Sequence, residues 1–270
     1  LIGGSMAMGL RKCGIAKKLI AVDDNIEHCR IALELGLADE VMSLDEGVRK
    51  AGVIVLAVPV NAAEKILPGI LKNIETQLVF DTGSTKETVC RIAEKHPKGR
   101  RFVATHPMWG TEFSGPTAAV PDAFKGKAVV ICNKENSDGD ALKLTEEIYS
   151  KLEMHPIYMD AKAHDLHAAY ISHVSHITSF ALANTVLEKE KEDDKIFEMA
   201  SGGFESTVRL AKSNAAMWVP IFMQNKENVL DVLNEHISQL RKFKSCLEKD
   251  NYEYLEELIV HANRIKRILK

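Results

Sequence analysis

The sequence has no Cys-x-x-Cys pair, and its five cysteines (Cys13, Cys29, Cys90, Cys132 and Cys246) are scattered and odd in number. That pattern excludes a disulfide framework and a structural zinc site, and it suits reduced thiols in the cytosol. Long hydrophobic runs are absent too. The longest, Val53 to Val60, is far shorter than a bilayer requires. No signal peptide is read ahead of the first element, so a cytoplasmic location without a membrane partner is expected. Nor is there an excess of positive charge: a net charge of −3 gives no footing for a nucleic-acid surface. What remains, 46% hydrophobic and 27% charged residues in a chain of 270, is a globular protein long enough for two ordinary domains.

The first part alternates short apolar runs with helical patterns. Leu19 to Val22, Val53 to Val58, Leu78 to Phe80, Phe102 to Ala104 and Ala128 to Ile131 read as buried strands, and Pro156 to Met159 closes the series. Helical patterns lie between them at Ser5 to Cys13, Ile26 to Leu35, Ala62 to Leu71, Lys86 to Glu94 and Ala141 to Leu152. Strands that are apolar throughout and separated by helices predict a parallel sheet covered on both faces.

From Asp160, a helix cap, the pattern turns helical. One stripe runs through His164, His167, Ile171, Val174, Ile177 and Ala181. A second takes in Phe222, Val229, Leu233, His236, Leu240, Phe243 and Leu247, and a third Leu255, Leu258, Ala262, Ile265 and Leu269. Stripes this long pack against partner helices, either within the chain or in a second subunit. The expected division is therefore 1–159, an α/β doubly wound domain, and 160–270, an all-helical domain through which a homodimer forms.

The opening Leu-Ile-Gly3-Gly4-Ser5 leads straight into a helical pattern. Twenty residues after Gly3 stands Asp23, at the end of an apolar run, where a dinucleotide-binding fold places the carboxylate that holds the adenosine ribose. No arginine follows at once, which favours NAD over NADP; an aspartate ending any strand as a turn residue is the plainer reading. Only the last glycine of a G-x-G-x-x-G fingerprint is visible, so a central strand and two glycines are expected ahead of Leu1. Backbone N–H groups near Gly3, Gly4 and Ser5 would cradle the pyrophosphate.

Open α/β sheets bind ligands beyond the carboxyl ends of their strands. The residues just past the apolar runs are Asp23-Asp24, Val58-Pro59, Asp81-Thr-Gly-Ser84 and Thr105-His106-Pro107. His106 could take a proton from a substrate hydroxyl and Ser84 could orient either partner. Against this, Ser84 and Glu87 match a capping box, and a histidine before proline is often structural. In the helical half His173 and His176 are three apart. With no further ligand at metal-binding spacing, they read as cleft-lining or satisfied histidines, and no metal is expected. Arg209 is either a surface charge or a carboxylate clamp.

These motifs together resemble the prephenate/arogenate dehydrogenase family of tyrosine biosynthesis. The resemblance runs over essentially the whole chain. It is carried by Leu1-Ile-Gly-Gly-Ser5, Val22-Asp23, Asp81-Thr-Gly-Ser-Thr-Lys86, His106-Pro-Met-Trp-Gly-Thr-Glu112, Ile171-Ser-His-Val-Ser-His176, Gly202-Gly-Phe204, Arg209-Leu-Ala-Lys-Ser213 and Met217-Trp218. It implies a Rossmann-type domain followed by an all-α dimerisation domain, NAD as cofactor, and oxidative decarboxylation of prephenate, with arogenate the close alternative. His106 would accept the proton of the ring hydroxyl, Ser84 would bind that hydroxyl and the nicotinamide region, and Arg209 would clamp the ring carboxylate. Thr111 and Glu112 would shape the cleft, and His173 or His176 would meet the side-chain carboxylate. No chorismate mutase or ACT segment is read in the chain, so any tyrosine inhibition is expected at the active site or dimer interface. Two rivals stand beside this reading: a β-hydroxyacid or imine reductase with Lys162 as its lysine, and a non-catalytic NAD-sensing regulator.

Overall fold

The computed structural model describes residues 1–191 and 194–268, so Leu269 of the third helical stripe lies outside the described residues. The α/β half begins with α1 (Ile2–Lys12), β1 (Ile20–Ala21), α2 (Ile26–Glu34), β2 (Glu40–Val41), α3 (Leu44–Lys50), β3 (Val53–Leu56) and α4 (Val60–Asn73). It continues with β4 (Leu78–Asp81), α5 (Glu87–Glu94), β5 (Phe102–Pro107), β6 (Ala128–Cys132), α6 (Gly139–Lys151) and β7 (His155–Met159). Local chemistry sets several helix starts. Asn25 accepts from the N–H groups of Glu27 and His28 at α2, while Ser43 and Glu46 form a reciprocal capping box at α3.

Five strands pair in the order β3-β4-β5-β6-β7, and β1-β2 form a separate two-stranded piece. The expected parallel sheet needs one correction: β5 and β6 run antiparallel, with His106 opposite Val130. All the other pairs are parallel. Alternation along β4 divides the core between the two faces. Val79 packs with Leu67, Ile70, Leu71 and Val89, whereas Leu78 and Phe80 pack with Met6, Leu10, Ile131, Ile148 and Tyr149. These side chains are almost wholly buried, each contributing about 1.5–3 kcal/mol of hydrophobic stabilisation.

The helical half holds α7 (Ala161–Ala168), α8 (Val174–Glu190), α9 (Gly202–Val208), α10 (Ala215–Gln224), α11 (Lys226–Glu248) and α12 (Tyr252–Ala262). Asp160 caps α7 by accepting from the Ala163 N–H, as expected. Between α7 and α8 the helix widens into a π turn at Ala169–His173. Clusters in this half are small: Trp218 and Ile221 pack on Val60 of α4, and Ala169, Val229 and Val232 form another. Leu240, Leu247, Val260 and Ile268 stay exposed.

Candidate active site

The ladder between β4 and β5 ends at Phe80 and Val103, and the strands part beyond it. Side chains hold the crevice together. The Asp81 carboxylate accepts from the Thr105 N–H at 3.0 Å and pairs with the Lys86 ammonium, which also donates to the Thr105 carbonyl at 2.7 Å. Asp81 and Lys86 are fully buried, so each charge depends on the other for its solvation. The loop carrying Ser84 is thereby anchored to the strand carrying His106.

His106 Nδ1 lies 2.8 Å from His164 Nε2, and His164 Nδ1 lies 2.7 Å from Asp165 Oδ1. A carboxylate only accepts, so His164 carries a proton on Nδ1; with that proton alone on the ring, its Nε2 accepts. His106 must then carry its own proton on Nδ1, and its basic lone pair is at Nε2. Burial, and after it the neighbouring His164, Lys86 and His173, pushes the His106 pKa well below its ordinary value, which keeps it neutral. Asp165 itself is fixed by the backbone: Oδ1 accepts from Lys86 N–H at 2.8 Å and Oδ2 from Glu87 N–H at 3.0 Å.

Those two bonds revise the capping-box reading. α5 begins at Glu87 with Lys86 at its N-cap position and no side-chain cap of its own. Asp165 of α7 satisfies the orphan N–H groups instead. The Ser84 hydroxyl has no hydrogen bond among the described residues, two positions from Lys86.

In the helical half, the His176 ring stacks on Trp218 with centroids 3.4 Å apart, and His173 meets the same indole edge-on at 6.0 Å. Burial lowers both pKa values, that of His173 to about 4. Arg209 donates to Glu112 Oε2 at 3.0 Å. The Glu112 backbone N–H, and then Arg209, hold that carboxyl below the usual carboxylate range. Thr111 Oγ1 accepts from the Phe113 N–H at 3.3 Å. Beside them opens a cleft of about 500 Å³, lined by Glu112, Phe113, Ser114 and Thr117 from one half and by Lys212 and Asn214 from the other.

Gly3 and Gly4 lie in the first turn of α1. A Cβ on Gly3 would stand 3.0 Å from the Ala57 Cβ, and one on Gly4 2.9 Å from the Ala119 Cβ. Ser5 is buried, with its hydroxyl accepting from the Val120 N–H at 2.9 Å. Asp23 follows β1, is partly exposed, accepts from the Asn25 N–H at 2.9 Å and lies 3.4 Å from His28 Nδ1. Val58 and Pro59 follow β3, with Pro59 at the N-cap position of α4. A helix start with no acidic residue in its first turn, close-packed glycines and a nearby carboxylate fit a dinucleotide's pyrophosphate and ribose hydroxyls.

Sequence reasoning missed Lys86, Asp165 and Asn225, and took His164 for part of an apolar stripe. A lysine inside a short strand-to-helix turn and a His-Asp pair one turn past a capping aspartate were the available signals.

Two family models match the chain: the prephenate dehydrogenase nucleotide-binding domain over residues 6–158 and the prephenate dehydrogenase dimerization domain over residues 160–261. Prephenate dehydrogenase of Bacillus subtilis (strain 168) is 31% identical over 94% of this chain and 70% of its own length. The crystal structure of prephenate dehydrogenase from A. aeolicus, in complex with hydroxyphenyl propionate and NAD+, superposes with a TM-score of 0.89 at 30% identity, covering 99% of this chain and 94% of that one. Synechocystis arogenate dehydrogenase, at 24% identity, shares the fold with a TM-score of 0.76 over 100% of this chain and 97% of its own.

Proposed function

The chain belongs to the prephenate dehydrogenase family, and on that premise we propose that it converts prephenate to 4-hydroxyphenylpyruvate by NAD-dependent oxidative decarboxylation in tyrosine biosynthesis. The observation that carries the reading is the hydrogen-bonded chain from His106 through His164 to Asp165, at 2.8 and 2.7 Å, which engages His106 Nδ1 and leaves Nε2 as the nitrogen available to act as a base. Gly3, Gly4 and Ser5 at the start of α1, Asp23 after β1, and Val58 and Pro59 after β3 are the residues that would hold NAD. When bound, NAD supplies the hydride acceptor.

His106 Nε2 takes the proton of the C4 hydroxyl as hydride leaves C4. Ser84, with its hydroxyl uncommitted, orients that oxygen. Arg209 holds the ring carboxylate, whose bond to the ring then breaks. The electron pair flows into the ring as carbon dioxide departs, and the oxygen, now phenolic, regains the proton from His106. Aromatisation drives the reaction, so the chain's task is to position the substrate and polarise one O–H bond. Thr111 and Glu112 shape the cleft mouth, and His173 and His176 line the side-chain end.

Exposed Leu240, Leu247 and Val260 on α11 and α12 support a homodimer through the helical half. Among the described residues no helix is long and apolar enough to cross a membrane, and five free thiols support a cytoplasmic location.

The test follows NADH absorbance with prephenate and with arogenate, for the unmodified chain and for His106→Asn. Turnover of prephenate that falls about a hundredfold or more in the variant, with NAD affinity unchanged, is expected. Clear preference for arogenate would overturn the substrate assignment. NAD binding without turnover of either substrate would point to the sensor instead.

A further inference from the structure

Asn225 sits at the junction of α10 and α11, only 4% exposed, and its side chain meets two groups on the α7–α8 helix. Its Nδ2 donates to the Asp165 carbonyl at 2.6 Å and lies 3.2 Å from His173 Nδ1. The orientation of this amide follows from its surroundings. A backbone carbonyl only accepts, so an oxygen turned toward it at 2.6 Å would be repelled. Oδ1 on the other side accepts from Asn228 Nδ2 at 2.7 Å, which agrees.

From this geometry we infer that Asn225 is a positioning residue that locks His173 as the neutral tautomer with its proton on Nε2. The nitrogen facing Nδ2 must accept, so the proton stands on the far side of the ring. The π turn at Ala169–His173 brings the two groups within reach of one amide. Eight residues separate Asp165 from His173, and an uninterrupted α-helix would set them about 80° apart around its axis; the wider turn reduces that offset.

The charged and titratable groups around His173 are Asp165 and His164 on α7, His176 on α8 and His106 on β5, with Trp218 and Phe222 closing the ring edge-on. Asp165 favours a charged His173, and the Nδ2 donor opposes it by occupying the second nitrogen. His173, only 1% exposed, is thereby held neutral, with Nε2–H as its one remaining donor. The effect on turnover rests on the proposed activity, whereas the tautomer does not.

The experiment is two-bond proton–nitrogen correlation on the full chain labelled at histidine nitrogens, at pH 7, with His173→Gln used to assign the signal. A neutral ring protonated on Nε2 is the expected pattern. Asn225→Asp replaces the donor by an acceptor, so Nδ1 should become protonated and kcat/KM for prephenate should fall about tenfold or more, with NAD affinity changed less than twofold. Finding Nδ1–H or the doubly protonated ring in the unmodified protein would overturn the inference, and that spectrum decides the matter even where the variant does not fold. Should the variant show the altered tautomer at unchanged kcat/KM, Asn225 has no positioning role in the reaction.

Discussion

The Arg209 guanidinium and the Glu112 carboxylate meet at 3.0 Å across the two halves of the chain, one on the helical side and the other six residues beyond His106. The Arg209 side chain remains 51% exposed, and exposed pairs contribute about 0–1 kcal/mol. The pair therefore acts on binding more than on stability. Arg209→Gln should raise KM for prephenate about tenfold to a hundredfold, since a charge-assisted bond to a carboxylate is worth about 1.5–3 kcal/mol. Its melting temperature should move by no more than about 4 °C. A large drop in melting temperature at unchanged KM would make the residue a structural strut.

Asp165 serves two masters, the His164 ring and the start of α5. In Asp165→Asn one oxygen becomes a donor that faces either a backbone N–H or the His164 Nδ1 proton. We expect a loss of about 1–3 kcal/mol for the stranded donor and a tenfold or larger fall in kcat as the His106 ring loses its orientation. Denaturant midpoints and steady-state rates measure the two effects separately. A stability loss with full kcat would detach the relay from the reaction.

Lys86 is held at the bottom of the crevice by Asp81 and the Thr105 carbonyl. Lys86→Met leaves a buried carboxylate without its counter-ion, which costs about 3–5 kcal/mol. Adding Asp81→Asn should recover part of that loss. Urea unfolding of the two variants tests this, and equal stabilities would show that the Asp81 charge finds another partner.

Three histidines, His106, His173 and His176, have folded pKa values lowered by burial. The unfolded chain takes up protons below about pH 6.5, while folded His173 stays neutral down to about 4. Stability is then greatest above pH 6.5 and falls as the pH drops toward 4, by about 3 kcal/mol from His173 alone. Thermal melts at pH 7.5, 6 and 5 should track this decline, and His173→Gln should flatten it. A melting temperature independent of pH over that range would contradict the buried neutral rings.

Much of this architecture is legible in the residues because burial leaves a periodic mark. The runs at Val53 and Leu78 are apolar on every residue and became β3 and β4 of the larger sheet; the stripes after Asp160 became helices, though Leu240, Leu247 and Ile265 stay exposed on them. β2 escaped because it is two residues long and partly exposed, and α3 because only Gly47 and Val48 are buried in it. Strand direction was lost for a different reason: an apolar strand such as β6 has the same pattern whichever way it runs. At the site, His106 and Ser84 were singled out by their places after apolar runs, although β5 extends through His106, yet Lys86 was passed over because lysine is so seldom fully buried. Asn225 and the π turn left no local trace. Their roles come from contacts between helices far apart in the chain.

Stiffness in this molecule is concentrated where the site is built. β4 is bonded on both edges and buried along its whole length, and the segment that carries Ser84 grows from its end. Amide protons of Val79 and Phe80 should therefore exchange with solvent only through global unfolding. The reacting groups stand on the last part of the fold to open.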